Sequence, residues 1–354
     1  RFGGSGSIGR ASNFRGRTAR VRIEQVRIRG IRALKQRTDS FLDGAAPRVT
    51  TCLRGTNGSG KTTYLAVLAE LWRWFRRCVA KGGYVTPVGL LKEALGDGLA
   101  AIEVSDLPGP CSRLWLAVGN VSAIAELTAG APNGLRVVNG KPTWDKELLS
   151  WWAEAFERVE AGFEAATIPN IVWIEAENKW VPELRAGELE RSAREIFPAV
   201  ARYLPTASHG RSHLEGLLLT LYLARRSHWQ LLQNTVAELR PGLVLLDEFD
   251  AATRRPRFVR NGVTLTVDLL SAGERSLLIN LAMILRWLGP GGVVLLDEPE
   301  LHQHLSLMRG SLAVLASIIT SRELRGQLII ASHAPEVWAH FPDRNAILDL
   351  DTAS

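Results

Sequence analysis

The run Gly55-Thr56-Asn57-Gly58-Ser59-Gly60-Lys61-Thr62, followed by Thr63, constrains the fold more than any other stretch. It fits GxxxxGK[ST], and its flanks are the ones that motif requires. Val49 to Leu53 is an apolar run of strand length that enters it. Leu65, Leu68, Trp72 and Phe75 recur at helical spacing after it, predicting an amphipathic helix. A strand, a glycine-rich turn and a helix N-terminus make a cradle of backbone N–H groups that suits phosphate. In such a cradle Lys61 reaches the β- and γ-phosphates of ATP and Thr62 ligates Mg²⁺.

A phosphate cradle of this kind also needs a carboxylate at the end of a neighbouring strand. The sequence offers two. Leu243 to Leu246 leads to Asp247 and Glu248, and Val293 to Leu296 leads to Asp297 and Glu298. Only the second is followed by a helix and another apolar strand, Leu328 to Ala331, as a parallel β-α-β arrangement demands. Asp297 is therefore the expected magnesium carboxylate and Glu298 the expected general base for water. Asp247 and Glu248 are expected at the polar end of a peripheral strand.

Elsewhere the pattern predicts strands at Val21 to Ile31, Ala100 to Val104, Leu114 to Val118, Ile171 to Ile174 and Ala346 to Leu350. Lys146 to Ala166 reads as a helix, and the stretch from Pro182 to Leu239 as almost wholly helical. Asn261-Gly262 between two β-like runs, Arg257 to Arg260 and Val263 to Val267, predicts a tight hairpin. The expected organisation is a flexible basic tail (1–20), a nucleotide-binding lobe (21–179), a helical subdomain (180–240) and a second lobe (241–354).

Leu270-Ser271-Ala272-Gly273-Glu274 opens a further helix. Ser271 with Glu274 fits a capping box, and the same helix end presents a hydroxyl and N–H groups suited to a γ-phosphate. These residues resemble the LSxGE/Q signature of ABC ATPases. The phosphate loop, the signature, the acidic strand and Ser332-His333 occur in that family's order. The resemblance implies an α/β P-loop NTPase of ABC-ATPase type, with a mixed central sheet, an antiparallel β-subdomain and a helical subdomain. It implies that Lys61, Thr62, Asp297, Glu298 and the switch histidine His333 form one half of an ATP site. Ser271, Gly273 and Glu274 would serve the other half in a second copy, making a homodimer with composite sites. Arg29-Gly30-Ile31-Arg32, Asp297-Glu298-Pro299-Glu300-Leu301-His302 and Ser332-His333-Ala334-Pro335 are similar to features of the SMC/RecF/OLD-like group. No glutamine stands at the family's Q-loop position, where Glu175 or Glu177 falls.

Composition narrows the remaining classes. No apolar run approaches the roughly 18 residues of a membrane span. Cys52, Cys78 and Cys111 have no metal-like spacing, and the chain reads as cytoplasmic. The formal net charge of +7 suits a phosphate-bearing partner. Arginines crowd residues 10–32, as either a nucleic-acid arm or a solvated tail, and Arg254, Arg255, Arg257 and Arg260 cluster at the hairpin. Neither a nuclease module nor a long coiled coil is expected from the residues between and around the motifs. The expected role is an ATPase acting on DNA, or on an effector protein such as a nuclease, in DNA maintenance, repair or phage defence. An ATP-gated scaffold or sensor, or a transporter's nucleotide-binding subunit, are the alternatives.

Overall fold

Four apolar runs buried on both sides set the architecture. The computed structural model describes residues 20–129, 135–137, 146–160, 168–177, 197–203, 213–341, 343 and 346–352. The first part comprises β1 (Arg22–Ile31), β2 (Leu34–Ser40), a short ribbon of β3 (Leu42–Asp43) and β4 (Ala46–Pro47), β5 (Thr50–Arg54), α1 (Lys61–Lys81) and α2 (Leu90–Glu93). It continues with β6 (Leu99–Ser105), β7 (Arg113–Gly119), α3 (Val121–Ala129), β8 (Leu135–Val137), α4 (Lys146–Glu160), β9 (Ile171–Ile174) and β10 (Val200–Arg202). Then come α5 (Leu214–Ala224), α6 (Arg226–Leu239), β11 (Leu243–Phe249), β12 (Pro256–Arg260), β13 (Val263–Leu265) and α7 (Ala272–Trp287). The last elements are β14 (Val293–Asp297), α8 (Leu305–Thr320), β15 (Gln327–Ser332), α9 (Pro335–Trp338) and β16 (Ile347–Asp349).

The central sheet runs β10-β9-β14-β15-β5-β16, and every pairing in it is parallel. Its strands alternate between two cores, as side chains of period two must when both faces are covered. Leu53, Val293, Leu295, Ile329 and Ala331 join the core that holds α1 and α4. Cys52, Val294, Leu296, Leu328 and Ile330 join the core that holds α5, α6, α7 and α8. A separate sheet, β2-β1-β6-β7-β8, is antiparallel except for its β7–β8 pairing. Helix α1 packs against strands of both sheets and is the spine between them. Gln327 ties them further, accepting from Ile23 N at 2.9 Å and donating to Ile23 O at 3.2 Å and Arg48 O at 2.9 Å.

Within the stretch read as helical, residues 200–202 instead form β10, an edge strand of the central sheet. Three residues are too short for periodicity to distinguish strand from helix. Helices α5 and α6 pack on α7 in the same core as β14 and β15. Strand β11, which carries Asp247, lies in its own sheet with β12 and β13. Asp247 there accepts from Trp229 Nε1 at 2.8 Å and pairs with Arg226. The β12–β13 turn is made by Asn261 (φ 51°) and Gly262 (φ 79°), the two positive φ values of a primed hairpin turn. Among the described residues no helix is long and apolar enough to cross a membrane.

The α1–α4 contact is aromatic. The Trp152 ring, fully buried, lies edge-on to Trp72 at 5.9 Å and to Phe75 at 5.5 Å. Trp152→Ala should destabilise the fold by about 3–5 kcal/mol, because a side chain of that size leaves a cavity that only partly collapses. Urea unfolding followed by far-UV circular dichroism measures the loss.

Candidate functional site

The turn between β5 and α1 closes through glycines that are tightly packed or in the left-handed region. A Cβ on Gly55 would lie 2.4 Å from Ser59 Oγ, and Gly60, at φ 95°, caps α1 in the left-handed region. Gly58 also has a positive φ, 84°. The result is a loop that curls over its own backbone. Lys61 is almost fully buried, and its ammonium donates to Gly55 O and Thr56 O, each at 2.9 Å. Thr56, Asn57 and Gly58 are exposed along the rim, and Ser59 N donates to Thr56 O at 3.2 Å. Thr62 and Thr63 begin the helix beyond it.

The sheet delivers the acidic partners to this loop. Strand β15 lies between β5 and β14, with Ser332 opposite Arg54 and Ala331 opposite Asp297. The carboxyl ends of all three strands therefore sit side by side. Thr62 Oγ1 donates to Asp297 Oδ2 at 2.7 Å, and Asp297 is fully buried. Glu298 follows with φ 42°, a left-handed conformation that a non-glycine residue adopts at a cost of about 1–2 kcal/mol. Its N–H donates to Ala331 O at 2.9 Å. The twist sends its carboxylate to His333, whose Nδ1 lies 3.2 Å from Glu298 Oε1 and 3.4 Å from Glu300 Oε1. Ser332 Oγ donates to the same Glu300 oxygen at 2.6 Å.

Lys61, Thr62, Asp297, Glu298 and His333, far apart in sequence, thus converge on one edge of one sheet. Glu300 joins them, and sequence reasoning gave it no role of its own. Its only signal was its place in the Asp-Glu-Pro-Glu run. Of the two residues at the Q-loop position, Glu175 is ion-paired with Arg202, while Glu177 is exposed.

Ser271, Gly273 and Glu274 do not join this group. They open α7 beside a different cavity, of about 300 Å³, lined by Arg240, Ser271, Gly273, His302, His304 and Ser306. None of residues 55–63 lines it. The capping box is complete: Glu274 N donates to Ser271 Oγ at 3.3 Å, and Ser271 N to Glu274 Oε2 at 2.9 Å. Gly273 has no room for a side chain, since a Cβ would meet His302 O at 2.8 Å. Glu274 is 1% exposed, and its Oε1 accepts from Arg240 Nη2 at 2.7 Å and Arg260 Nη2 at 2.6 Å.

The hairpin arginines are mostly spoken for. Arg255 pairs with Glu215 and Asp268, Arg257 with Asp250 and Glu248, and Arg260 with Glu274. Arg254 stands exposed at the turn. The basic tail lies outside the described residues, apart from Arg20.

Burial would raise the pKa of Glu274, but the Ser271 amide and the two guanidiniums outweigh it and hold the carboxyl down at about 2. A folded-state pKa below the unfolded value near 4.5 binds fewer protons in the native state. The stabilisation is therefore complete above pH 4.5 and is lost as pH falls towards 2. Glu274→Gln should be about 2–3 kcal/mol less stable at pH 7, because the arginines lose a charged partner. Its stability should also change less than the wild type's between those pH values. Urea midpoints measured across that range check both.

No family model matches the chain, and no curated protein matches it. Among solved structures it is similar to an SMC head bound to the C-winged helix domain of ScpA. The identity is 14% over 92% of this chain and 95% of that one, with a TM-score of 0.49. It is also similar to a Pyrococcus furiosus Smc head with an extended coiled coil, bound to the C-terminal domain of ScpA. That match has 14% identity, covers 90% of this chain and 92% of that one, and has a TM-score of 0.39. A dimeric ATP-binding cassette in a post-hydrolysis state with ADP and Pi is similar at 12% identity, over 90% of each chain, with a TM-score of 0.38. What the chain's own geometry gives is an α/β fold with a phosphate loop, in which Lys61, Thr62, Asp297, Glu298 and His333 meet at the carboxyl edge of a parallel sheet.

Proposed function

We propose that this chain binds ATP with Mg²⁺ at the Gly55–Thr63 loop, hydrolyses it, and does so as a dimer that closes on the nucleotide. The observation that carries the reading is the 2.7 Å contact between Thr62 Oγ1 and Asp297, with Glu298 and His333 beside it. The hydroxyl and the carboxylate are a pair of hard oxygen donors. Such a pair suits Mg²⁺, which takes one or two protein oxygens and fills its shell with water and phosphate. The ion would be held by Thr62 and Asp297 and would neutralise charge between the β- and γ-phosphates.

The protein's own groups do the rest. The loop amides and the N-terminus of α1 would bind phosphate, and the Lys61 ammonium, held at the Gly55 and Thr56 carbonyls, would reach the β- and γ-phosphates from there. Glu298 accepts the proton of the attacking water, and its left-handed backbone aims the carboxylate away from the strand. His333 orients Glu298 and donates towards the γ-phosphate. Ser271 and Gly273, beside a cavity that the loop does not line, serve ATP held by a second copy, with Glu274 fixing the helix end. This separation within one chain supports the dimeric site.

The closing of two heads would act on nucleic acid or on an effector protein, in DNA maintenance, repair or phage defence. The net charge of +7 supports a phosphate-bearing partner. With Arg255, Arg257 and Arg260 ion-paired, DNA contacts at the hairpin would centre on Arg254.

Three proteins test the reading: the wild type, Lys61→Ala and Glu298→Gln. ATP should convert the wild type transiently, and Glu298→Gln stably, from monomer to dimer in multi-angle light scattering. Turnover of Glu298→Gln should fall at least about 100-fold, the scale of losing a general base. Lys61→Ala should neither dimerise nor turn over. Duplex DNA should raise wild-type turnover. A Glu298→Gln variant that binds ATP and stays monomeric would sink the composite site.

A further inference from the structure

The segment that follows β16 crosses the start of the phosphate loop and is held there from two sheets. β16 pairs with β5 in parallel, Asp349 standing opposite Arg54. Leu350 N donates to Arg54 O at 2.7 Å, and the Asp349 carboxylate takes the Arg54 guanidinium. From the antiparallel sheet, Arg37 donates to three carbonyls of the same segment: Asp349 O at 2.8 Å, Leu350 O at 3.3 Å and Thr352 O at 2.8 Å. Arg37 is itself fixed by a buried, two-pronged pairing with Asp39.

The anchored segment places one side chain on the loop. The Asp351 carboxylate accepts from Thr56 N, at 2.9 and 3.1 Å for its two oxygens, and from Thr56 Oγ1 at 2.9 Å. Asp351 N in turn donates to Asp349 Oδ1 at 3.0 Å.

Thr56 N and Gly55 O are the two ends of one peptide group. That group is planar and trans, so fixing the direction of the N–H fixes the direction of the C=O. Gly55 O is one of the two acceptors that hold the Lys61 ammonium, at 2.9 Å. We propose that Asp351 is a positioning residue for the phosphate loop: it locks the Gly55–Thr56 peptide plane and so presets Lys61 for a nucleoside triphosphate. The inference rests on the nucleotide-binding reading above. It gives the acidic residue a sign opposite to simple electrostatics, because a carboxylate near a triphosphate would otherwise weaken binding by repulsion.

Asp351 and Thr56 are both exposed, so substitution at Asp351 should leave the melting temperature unchanged. The experiment compares the wild type, Asp351→Ala, Asp351→Asn and Lys61→Ala in titrations with a fluorescent, non-hydrolysable ATP analogue, and in ATP turnover. Asp351→Ala should weaken binding and raise KM by about three- to tenfold, the scale of a charge-assisted hydrogen bond at an exposed site, with saturating turnover changed far less. Asp351→Asn keeps an acceptor oxygen and should fall between the two. Wild-type affinity in Asp351→Ala, or tighter binding in Asp351→Asn than in the wild type, overturns the proposal. If the wild type binds the analogue no better than Lys61→Ala does, the nucleotide reading itself fails, and the role of Asp351 falls with it.

Discussion

The hydrogen bond from Thr62 to Asp297 joins residues 235 positions apart, and the rest of the site is arranged around what makes it possible. Strand β15 fixes β5 and β14 in parallel register on either side of itself. Parity then decides which way Asp297 points. Val293 and Leu295 face the core that contains α1, so Asp297, two residues further, continues on the same face. The N-terminus of α1, with Lys61 and Thr62, lies on that side. A slip of one residue in β14 would send the carboxylate to the opposite core, among Leu296 and Ile330. Dense burial on both faces makes such a slip costly, so apolar packing away from the chemistry is what holds the acid in place.

A second fixed point is Glu274. Its carboxylate is enclosed by groups from three directions: the Ser271 amide, Arg240 after α6 and Arg260 on β12. A buried carboxylate without such partners would be protonated or excluded from the interior. With them it ties the hairpin and α6 to the first turn of α7. The hairpin, through Arg260, and the end of α6, through Arg240, are thus joined to the helix end that carries Ser271 and Gly273 by charge-assisted bonds.

Much of this was legible in the sequence, for local reasons. The phosphate loop needs glycine at fixed places, and a strand buried on both faces needs an unbroken apolar run. The Asn261-Gly262 hairpin and the Ser271/Glu274 capping box each need only two residues at the right spacing. The illegible parts depend on distant partners. Nothing near Glu274 foretold Arg240 and Arg260, and nothing near Thr56 foretold Asp351. Strand β10 is too short to declare itself, so its pairing with β9 emerges only in the fold. The hairpin arginines illustrate the same limit from the other side. A count of basic residues registers their charge but not Glu215, Asp250 and Glu274, which neutralise most of it.

The acidic edge of the sheet adds a constraint that neither motif nor burial states alone. Ser332 Oγ binds Glu300, Glu300 and Glu298 both approach His333 Nδ1, and Glu298 is held by its amide to Ala331. The turn after β14 and the end of β15 are thereby closed into one ring of contacts. The left-handed backbone at Glu298 is the strained member of that ring. It persists because the bond to Ala331 and the histidine contact over-determine its position. Strain kept at the residue proposed to activate water, and relaxed backbone in the strands that deliver it, is the distribution expected where a carboxylate must be aimed rather than merely buried. A γ-phosphate arriving at His333 would draw on the same imidazole that now steadies Glu298. On the proposed reading Nδ1 faces Glu298 and the other ring nitrogen would meet the phosphate, so the nucleotide and the base would share one imidazole.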